Sequence, residues 1–137
     1  MSDTPNNAMR LEVVTPSGLV VDEPSVAGVT APGHLGEFEA RPGHQPYLVR
    51  LRAGRLTYGG ERYALSGGVA EVGPDRVVVL ADTCEHLAAI DADRAQRAQE
   101  RAQRRLAGKG PDVEDTDVAR AQAALGRAMA RLTVAGG

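Results

Sequence analysis

Three histidines and one cysteine are the side chains of this sequence best suited to metal binding or nucleophilic attack. They are His34, His44, His86 and Cys84. No two histidines are four residues apart, as a metal-binding pair on one helix face would be, and a single cysteine excludes a Cys-x-x-Cys site. His34 and His44 lie in a segment rich in glycine and proline, which predicts solvated loop side chains. Cys84 has only His86 as a basic neighbour in sequence, so we expect an inert thiol. The sequence therefore predicts no metal site.

The sequence also lacks the other common catalytic patterns. Gly67-Gly68 has neither the lysine nor the following serine or threonine of a phosphate-binding loop, and no Gly-x-Ser-x-Gly elbow occurs. A net charge of −2 and an aromatic content of 3% argue against nucleic-acid binding. No apolar run reaches the roughly 18 residues of a membrane span, and the polar N-terminus does not resemble a secretory signal. The sequence predicts a protein that is not catalytic alone and requires no cofactor.

The composition changes near residue 86. The first 86 residues hold 11 of the 16 glycines and 7 of the 8 prolines, with 7 basic against 11 acidic side chains, whereas residues 87–137 hold 9 basic against 7 acidic side chains. Glycine and proline mark turns, while alanine and arginine favour helices. We therefore predict a disordered extension over 1–8, a β-domain over 9–86 and a helical hairpin over 87–137.

Short apolar segments separated by turn residues predict the strands of the β-domain. This spacing is typical of an all-β sandwich or barrel. Gly59-Gly60 predicts a tight hairpin turn, and Ser66-Gly67-Gly68 predicts a strand corner. The continuous apolar run Val77–Leu80 predicts a central strand buried on both faces. The other predicted strand segments are 11–14, 19–21, 26–31, 47–51, 55–58, 61–65 and 69–72.

The second part predicts two helices, at about 91–107 and 115–134. Asp91 is a good N-cap for the first helix, which Gly108 and Pro111 should end. Asp115 or Thr116 should begin the second helix. Each helix has a narrow apolar face made largely of alanine, which buries little area, so we expect a marginally stable hairpin that can detach from the β-domain. The residues of these faces are Ala95, Ala98, Ala102 and Leu106 in the first helix, and Val118, Ala121, Leu125, Ala128, Leu132 and Ala135 in the second.

Five short motifs follow one another along the chain. They are Pro-Gly-His-Leu-Gly-Glu-Phe (32–38) with Arg-Pro-Gly-His-Gln-Pro-Tyr-Leu (41–48), Leu-Ser-Gly-Gly (65–68), Glu-Val-Gly-Pro (71–74) with Val-Val-Val-Leu-Ala-Asp-Thr (77–83), Ile-Asp-Ala-Asp-Arg-Ala (90–95), and Arg-Ala-Met-Ala-Arg-Leu (127–132). In this order they resemble the epsilon-subunit family of bacterial-type F-type ATP synthases. The resemblance extends from about Met9 to Val134. It implies an α+β fold with two domains, an antiparallel β-sandwich followed by an antiparallel two-helix hairpin.

The resemblance implies a non-catalytic part of a rotary machine. Members of this family belong to the central stalk, which couples the catalytic head to the membrane c-ring of a proton-translocating synthase. The implied partners are the gamma subunit, the polar loops of the c-ring and, when the hairpin is extended, the alpha and beta subunits of the head. The implied location is peripheral, at the cytoplasmic face of the cell membrane. The extended hairpin inhibits ATP hydrolysis, and in several bacterial members ATP holds the hairpin folded down.

The resemblance also implies two sets of site residues. Glu37, Pro42, Gly43 and His44 match positions at the surface that faces the c-ring and gamma; otherwise they are ordinary exposed residues. The residues that match the regulatory ATP site are Glu85, Ile90, Asp91, Arg94, Ala95, Arg101, Arg127 and Arg131.

Two interpretations of the ATP-site residues are open. Arginine offers planar bidentate donors to phosphate, and Arg127 and Arg131 share a helix face, so the arginines of a paired hairpin could converge on ATP. Asp91 and Glu85 would then contact the base or orient Arg94, because a carboxylate repels phosphate. Alternatively, Asp91 only caps its helix and the arginines contact acidic partner surfaces. A free-standing nucleotide-sensing module, outside any rotary complex, is the alternative function.

Overall fold

The computed structural model describes residues 8–108 and 118–136. In these ranges the chain forms eight strands followed by two helices. Residues 1–7 of the predicted extension over 1–8 lie outside the described residues. Its last residue, Ala8, is buried, so the extension was predicted one residue too long. The elements are β1 (Met9–Thr15), β2 (Gly18–Val26), β3 (Val29–Gly33), β4 (Gly36–Ala40), β5 (Tyr47–Tyr58), β6 (Glu61–Val72), β7 (Arg76–Ala81), β8 (Cys84–His86), α1 (Ala92–Leu106) and α2 (Val118–Gly136).

Two long strands, β5 and β6, run through both layers of the β-sandwich. The strand order is β2-β1-β7-β6-β5-β3-β4, and β8 pairs with β6 beside β7. The second half of β6 pairs with β7, as in Gly68 opposite Ala81, whereas its first half pairs with β8, as in Leu65 opposite Cys84. The change of partner occurs at Gly67, which confirms the predicted strand corner. The predicted sandwich fold is therefore present, with every strand pair antiparallel except β1 with β7, which is parallel.

The strand corner depends on glycine. Gly67 and Gly68 have φ angles of +123° and +141°, a region that residues with a side chain rarely adopt. A Cβ atom on Gly68 would also lie 2.0 Å from the carbonyl oxygen of Leu80. The tight turn at Gly59-Gly60 likewise has positive φ at both residues, as the sequence predicted.

Strand β7 differs from its prediction. Val77 and Val79 are buried in the core, but Leu80 is 56% exposed and Val78 is only partly covered. The expectation of a strand buried on both faces was wrong, because only one face of this sheet lies against the second layer of the sandwich. A continuous apolar run therefore marks a surface here as well as a core.

The segment 32–48 contains more regular structure than its glycine and proline content predicted. Residues Gly36–Ala40 form β4, which pairs with β3 across a turn at His34 and Leu35. Ala40 is buried and Phe38 packs against the core, so this short strand is held by alternate inward side chains. The expected loop structure is confined to the exposed turn at His34 and Leu35 and to residues 41–46, which include His44.

The helical hairpin follows the predicted caps. The Asp91 side chain accepts a hydrogen bond from the Arg94 amide at 3.1 Å, and Gly108 has a φ of +71° just after α1. Both observations confirm the predicted ends of α1. The predicted start of the second helix, at Asp115 or Thr116, lies outside the described residues. Alanines of the two predicted apolar faces are buried between the helices, whereas Val118 and Ala135 of the second face are exposed. The buried members are Ala95, Ala102, Ala121 and Ala128.

Helix α2 has a second contact face, which holds the hairpin against the sandwich. Ala130 and Val134 are buried with Ala64 of β6, and Leu87 and Ile90 of the connecting segment pack beside them. This cluster consists mainly of small side chains, so its burial stabilises the docked hairpin only modestly. In the part of the chain that the structure describes, no helix is long and apolar enough to cross a membrane.

Candidate functional site

A cavity of about 300 Å³ lies where the sandwich meets the hairpin. Its lining combines two carboxylates, two guanidinium groups and two alanines, which are Glu85, Asp91, Arg94, Arg131, Ala89 and Ala95. These side chains come from β8, the connecting segment and both helices. The cavity therefore exists only while the hairpin is docked on the sandwich.

The ion pair between Glu85 and Arg131 spans this cavity. Arg131 donates from Nε to Oε1 of Glu85 at 2.8 Å and also from its terminal Nη2. Both side chains are 31% exposed, so water screens the pair only partly. In this conformation Glu85 neutralises Arg131, and a phosphate group would have to displace the carboxylate to bind the guanidinium.

Asp91 and Ala95 have structural contacts that explain their presence. The Asp91 carboxylate already accepts a hydrogen bond from the Arg94 amide, which satisfies one of the free donors at the start of α1. Ala95 is 2% exposed, and its small side chain lets α2 approach α1 closely. The N-cap role of Asp91 is thus present in the structure, and its carboxylate also lines the cavity.

The structure brings together five of the eight residues predicted for the ATP site. They are Glu85, Asp91, Arg94, Ala95 and Arg131. Ile90 instead packs into the apolar cluster below α2. Arg101 is exposed on α1 and Arg127 is half-buried on α2, and neither lines the cavity. Sequence reasoning missed Ala89, whose only sequence signal is its small size within the connecting segment.

The predicted interface residues of the sandwich divide between two places. Gly43 donates from its backbone to the carbonyl of Pro74 at 2.7 Å, which fixes the loop that also carries Pro42 and His44. The His44 ring packs edge-on against Tyr47. Glu37 lies elsewhere, in β4, where it lines a groove together with residues of α2. The structure therefore does not gather these four residues into one site.

Two exposed apolar surfaces were not predicted. A groove of about 530 Å³ runs beside the β3–β4 turn, where Leu35 is 98% exposed, and Leu48 on its other side is 72% exposed. A second surface crosses the outer face of the sandwich: Leu19 is opposite Val14, Val14 opposite Leu80, and Leu80 opposite Val69. We call these four residues the apolar row. These residues alternate with buried residues along their strands, and this alternation could have predicted that one face of β7 is exposed.

Family models match both domains in the order that the structure shows. The model described as "ATP synthase, Delta/Epsilon chain, beta-sandwich domain" matches residues 8–87. The model described as "ATP synthase, Delta/Epsilon chain, long alpha-helix domain" matches residues 89–136. The chain belongs to the ATP synthase delta/epsilon chain family.

Known members of the delta/epsilon family are similar over nearly the whole chain. The ATP synthase epsilon chain of Moorella thermoacetica is 45% identical over 134 residues, which cover 94% of this chain and 97% of that one. The epsilon chain of Syntrophobacter fumaroxidans is 48% identical over 131 residues, covering 93% and 95%. These relatives confirm the predicted family, whose epsilon chains are non-catalytic parts of the ATP synthase complex.

A solved structure supports the fold independently. A chain in the cryo-EM structure of the Euglena gracilis mitochondrial ATP synthase in rotational state 1 superposes with a TM-score of 0.79 at 24% identity. The match covers 99% of this chain and 85% of that chain. At this identity the likeness concerns the fold alone, and it confirms the predicted sandwich followed by a helical hairpin.

Proposed function

We propose that this member of the delta/epsilon family is a non-catalytic rotor subunit of the central stalk of a proton-translocating F-type ATP synthase. In this proposal the sandwich binds the neighbouring stalk subunits, and the hairpin regulates ATP hydrolysis. The observation that carries it is the match of both domains, in order, to the two domains of the family. The complex would hold the chain at the membrane surface, on the cytoplasmic side, as a peripheral subunit.

The apolar row is our candidate contact surface for the gamma subunit. Leu19, Leu80 and Val69 are 55%, 56% and 41% exposed. Leu80 is directly opposite Val69, and Val14 lies between Leu80 and Leu19. A contiguous exposed apolar patch on a folded domain marks a protein contact. Because the row lies on the sandwich and away from α2, gamma can remain bound while the hairpin moves.

The gamma contact is testable by co-purification with detergent-solubilised ATP synthase. Leu80→Glu should abolish or strongly reduce recovery of gamma, since a charge at the centre of the row would have to be buried unpaired. Val118→Glu is the matched control, because Val118 is 55% exposed on α2 and away from the row. Failure of the unsubstituted chain to recover any ATP synthase subunit would refute the proposed function and favour the free-standing module.

We assign the c-ring contact to a different surface, the groove beside the β3–β4 turn. Leu35 is almost fully exposed there, and Phe38 and Tyr47 form an edge-on pair on the groove wall. The loop of Pro42, Gly43 and His44 adjoins Tyr47 and is fixed to the β6–β7 turn by the Gly43 amide. In this proposal Leu35 packs against the polar loops of the c-ring. Leu35→Asp should weaken coupling of hydrolysis to proton transport without changing gamma recovery.

We propose that the docked hairpin is the non-inhibitory state and that its extension inhibits hydrolysis at the alpha and beta subunits. The cluster of Ala64, Ala130 and Val134 supports this proposal, because small side chains bury too little area to fix the hairpin permanently. The exposed arginines of α1 would then contact acidic surfaces of the head. A two-state element with a small free-energy difference is what a regulator requires.

ATP is the proposed ligand of the cavity at the base of the hairpin. The Arg94 side chain lines this cavity, and Arg131 becomes available when phosphate displaces Glu85. Because the lining residues come from both domains, a bound ligand would favour the docked hairpin only through its differential affinity for that state.

Calorimetry on the purified chain tests ATP binding. We expect a saturable signal that Arg94→Ala weakens, whereas Arg97→Ala leaves it unchanged, because Arg97 is exposed on α1 and does not line the cavity. Absence of binding at about millimolar ATP would reject the nucleotide site, since even a contribution of about −4 kcal/mol is detectable there.

A further inference from the structure

The connection between the two domains contains a histidine that does not line the proposed nucleotide site. His86 ends β8, immediately before the short turn Leu87–Ala89 that leads into the hairpin. Its Nε2 atom lies 2.5 Å from Oε2 of Glu61, and its Nδ1 atom accepts a hydrogen bond from the Ala88 amide at 3.1 Å. One side of the ring therefore contacts the sandwich and the other side caps the turn that follows.

This pair of contacts requires one protonation state. Nδ1 can accept from the Ala88 amide only when it carries no proton, so the ring is neutral and its Nε2–H donates to Glu61. In the protonated ring both nitrogens are donors, and the Nδ1–H would point at the Ala88 N–H. Protonation therefore removes the contact to the turn, while it strengthens the contact to the Glu61 carboxylate.

The groups around the ring hold it on the sandwich side. Tyr63 of β6 packs edge-on against it with ring centroids 4.9 Å apart, and Tyr58 of β5 stacks behind Tyr63 at 6.0 Å. The Tyr58 hydroxyl reaches Glu23 of β2 at 3.4 Å. On the strand of His86 itself, the neighbouring charge is Glu85, which is paired with Arg131 of α2. Glu61 is thus the charged group in contact with the ring, and a protonated His86 would remain bound to it.

The turn that His86 caps forms part of the surface on which the hairpin docks. The Ile90 amide donates to the Leu87 carbonyl at 3.1 Å, which closes the turn. The side chains of Leu87 and Ile90 pack against the cluster that contains Ala130 and Val134 of α2. Loss of the cap therefore loosens the surface on which α2 rests, and it leaves the sandwich core intact because the core cluster contains no hairpin residue.

We propose that His86 couples docking of the hairpin to protonation: the neutral ring keeps the hairpin docked, and protonation releases the turn that supports it. This inference depends on the proposed function only for its consequence, the inhibition of hydrolysis by the released hairpin. Loss of an N-cap contact changes the population ratio of two states by about one order of magnitude. We therefore expect roughly a tenfold larger undocked fraction of the hairpin when the ring is protonated.

The test uses the isolated full-length chain and therefore does not need a working ATP synthase. Amide hydrogen exchange, expressed as protection factors that correct for the pH dependence of intrinsic exchange, reports docking of α2 at about pH 5.5 and pH 8. Nitrogen NMR of the imidazole identifies its tautomer and charge at each pH. We expect the Nε2–H tautomer at the higher pH, and about tenfold lower protection of α2 at the lower pH, with β6 and β7 unchanged.

Three variants distinguish the effect of protonating His86 from a general sensitivity of the hairpin to acid. His86→Asn keeps an acceptor for the Ala88 amide and does not titrate, so protection of α2 should become independent of pH and stay high. His86→Lys carries a charge and no acceptor, so α2 should be loosely docked at both pH values. His34→Asn is the matched control, since His34 is an exposed turn residue, and it should keep the pH dependence of the unsubstituted chain. A pH-independent unsubstituted chain, or a His86→Asn variant that keeps the dependence or is undocked at both pH values, would overturn the proposal.

Discussion

Arg131 ties the hairpin to the sandwich through an ion pair. It reaches from α2 to Glu85 of β8, and both groups are partly shielded from water. The same guanidinium is proposed to receive the phosphates of ATP. Glu85 therefore has two effects at the residue scale: it stabilises the docked hairpin without a ligand, and it competes with the ligand for Arg131.

A double-mutant cycle measures the first of these effects. We expect Glu85→Gln and Arg131→Gln each to lower the free energy of hairpin docking, and the double variant to lower it by less than the sum. For a partly shielded pair the coupling should be about 1 kcal/mol, measured by hydrogen exchange of α2. Arg97→Gln serves as the control on the exposed face of α1. Strictly additive effects of the two substitutions would show that the ion pair does not hold the hairpin.

Cys84 provides a pH-dependent prediction at the same scale. Burial, reinforced by the charge of Glu85, raises the pKa of the Cys84 thiol from 9.0 to about 11. The thiolate is the nucleophile, so at about pH 8 alkylation in the folded chain should be slower by about two orders of magnitude than in the unfolded chain. Between pH 9 and 11 the unfolded state binds fewer protons at this site than the folded state, so stability should fall as pH rises through this window.

Alkylation kinetics and alkaline unfolding check this prediction with one variant. Cys84→Ala removes the titrating group and should reduce the loss of stability above about pH 9, although the raised pKa of Tyr58, which is also due mainly to burial, leaves part of it. Labelling of the folded chain at the unfolded rate would contradict the buried environment of the thiol.

At the element scale, local signals predicted most of the fold. Asp91 and Gly108 fixed the ends of α1 because capping is a property of a few adjacent residues. Gly67-Gly68 fixed the strand corner because positive φ restricts the residue type. By contrast, the run Val77–Leu80 does not reveal that one face of β7 is left exposed, because an exposed apolar face and a buried one have the same composition. The pairing of Glu85 with Arg131 was equally inaccessible, since 46 residues separate them.

Gly126 is a position where α2 closely approaches β5. A Cβ atom added there would lie 3.3 Å from the Cβ of Ala53, so a small side chain is barely accommodated. Gly126→Leu should wedge α2 away from the sandwich and undock the hairpin while the sandwich stays folded. Gly126→Ala should have a small net effect, because the gain in helix propensity of about 1 kcal/mol offsets the close contact. Ala123→Leu, at an exposed position of α2, is the matched control.

Hydrogen exchange and thermal unfolding distinguish these outcomes for Gly126. Loss of protection in α2 together with an unchanged sandwich transition is the expected result for Gly126→Leu. Equal loss of protection in α2, β5 and β6 would instead show that the two domains unfold as one unit.

At the scale of the whole molecule, the two domains have separate cores. The buried residues of the sandwich core lie between Met9 and Ala81, and none of them belongs to the hairpin. The separate cluster beneath α2 has three buried residues, and only one of them, Ala64, comes from the sheet. The apolar row also lies on the sandwich alone. In the proposed function this arrangement would separate attachment to the stalk from regulation, because the proposed gamma contact uses a face of the sandwich that the hairpin does not touch.

Removal of the hairpin tests this separation in the assembled complex. A chain that ends after Leu87 keeps β8 paired with β6, so it should fold cooperatively and still recover gamma through the apolar row. ATP hydrolysis by the complex should rise relative to the full-length chain, because the proposed inhibitory element is gone. In the same complex, Leu80→Glu should abolish attachment whether or not the hairpin is present.

If the shortened chain binds gamma but hydrolysis is unchanged, the sandwich has been correctly assigned and the hairpin does not inhibit. If the shortened chain folds but does not bind gamma, the apolar row is not sufficient for attachment and the hairpin must carry part of the gamma contact.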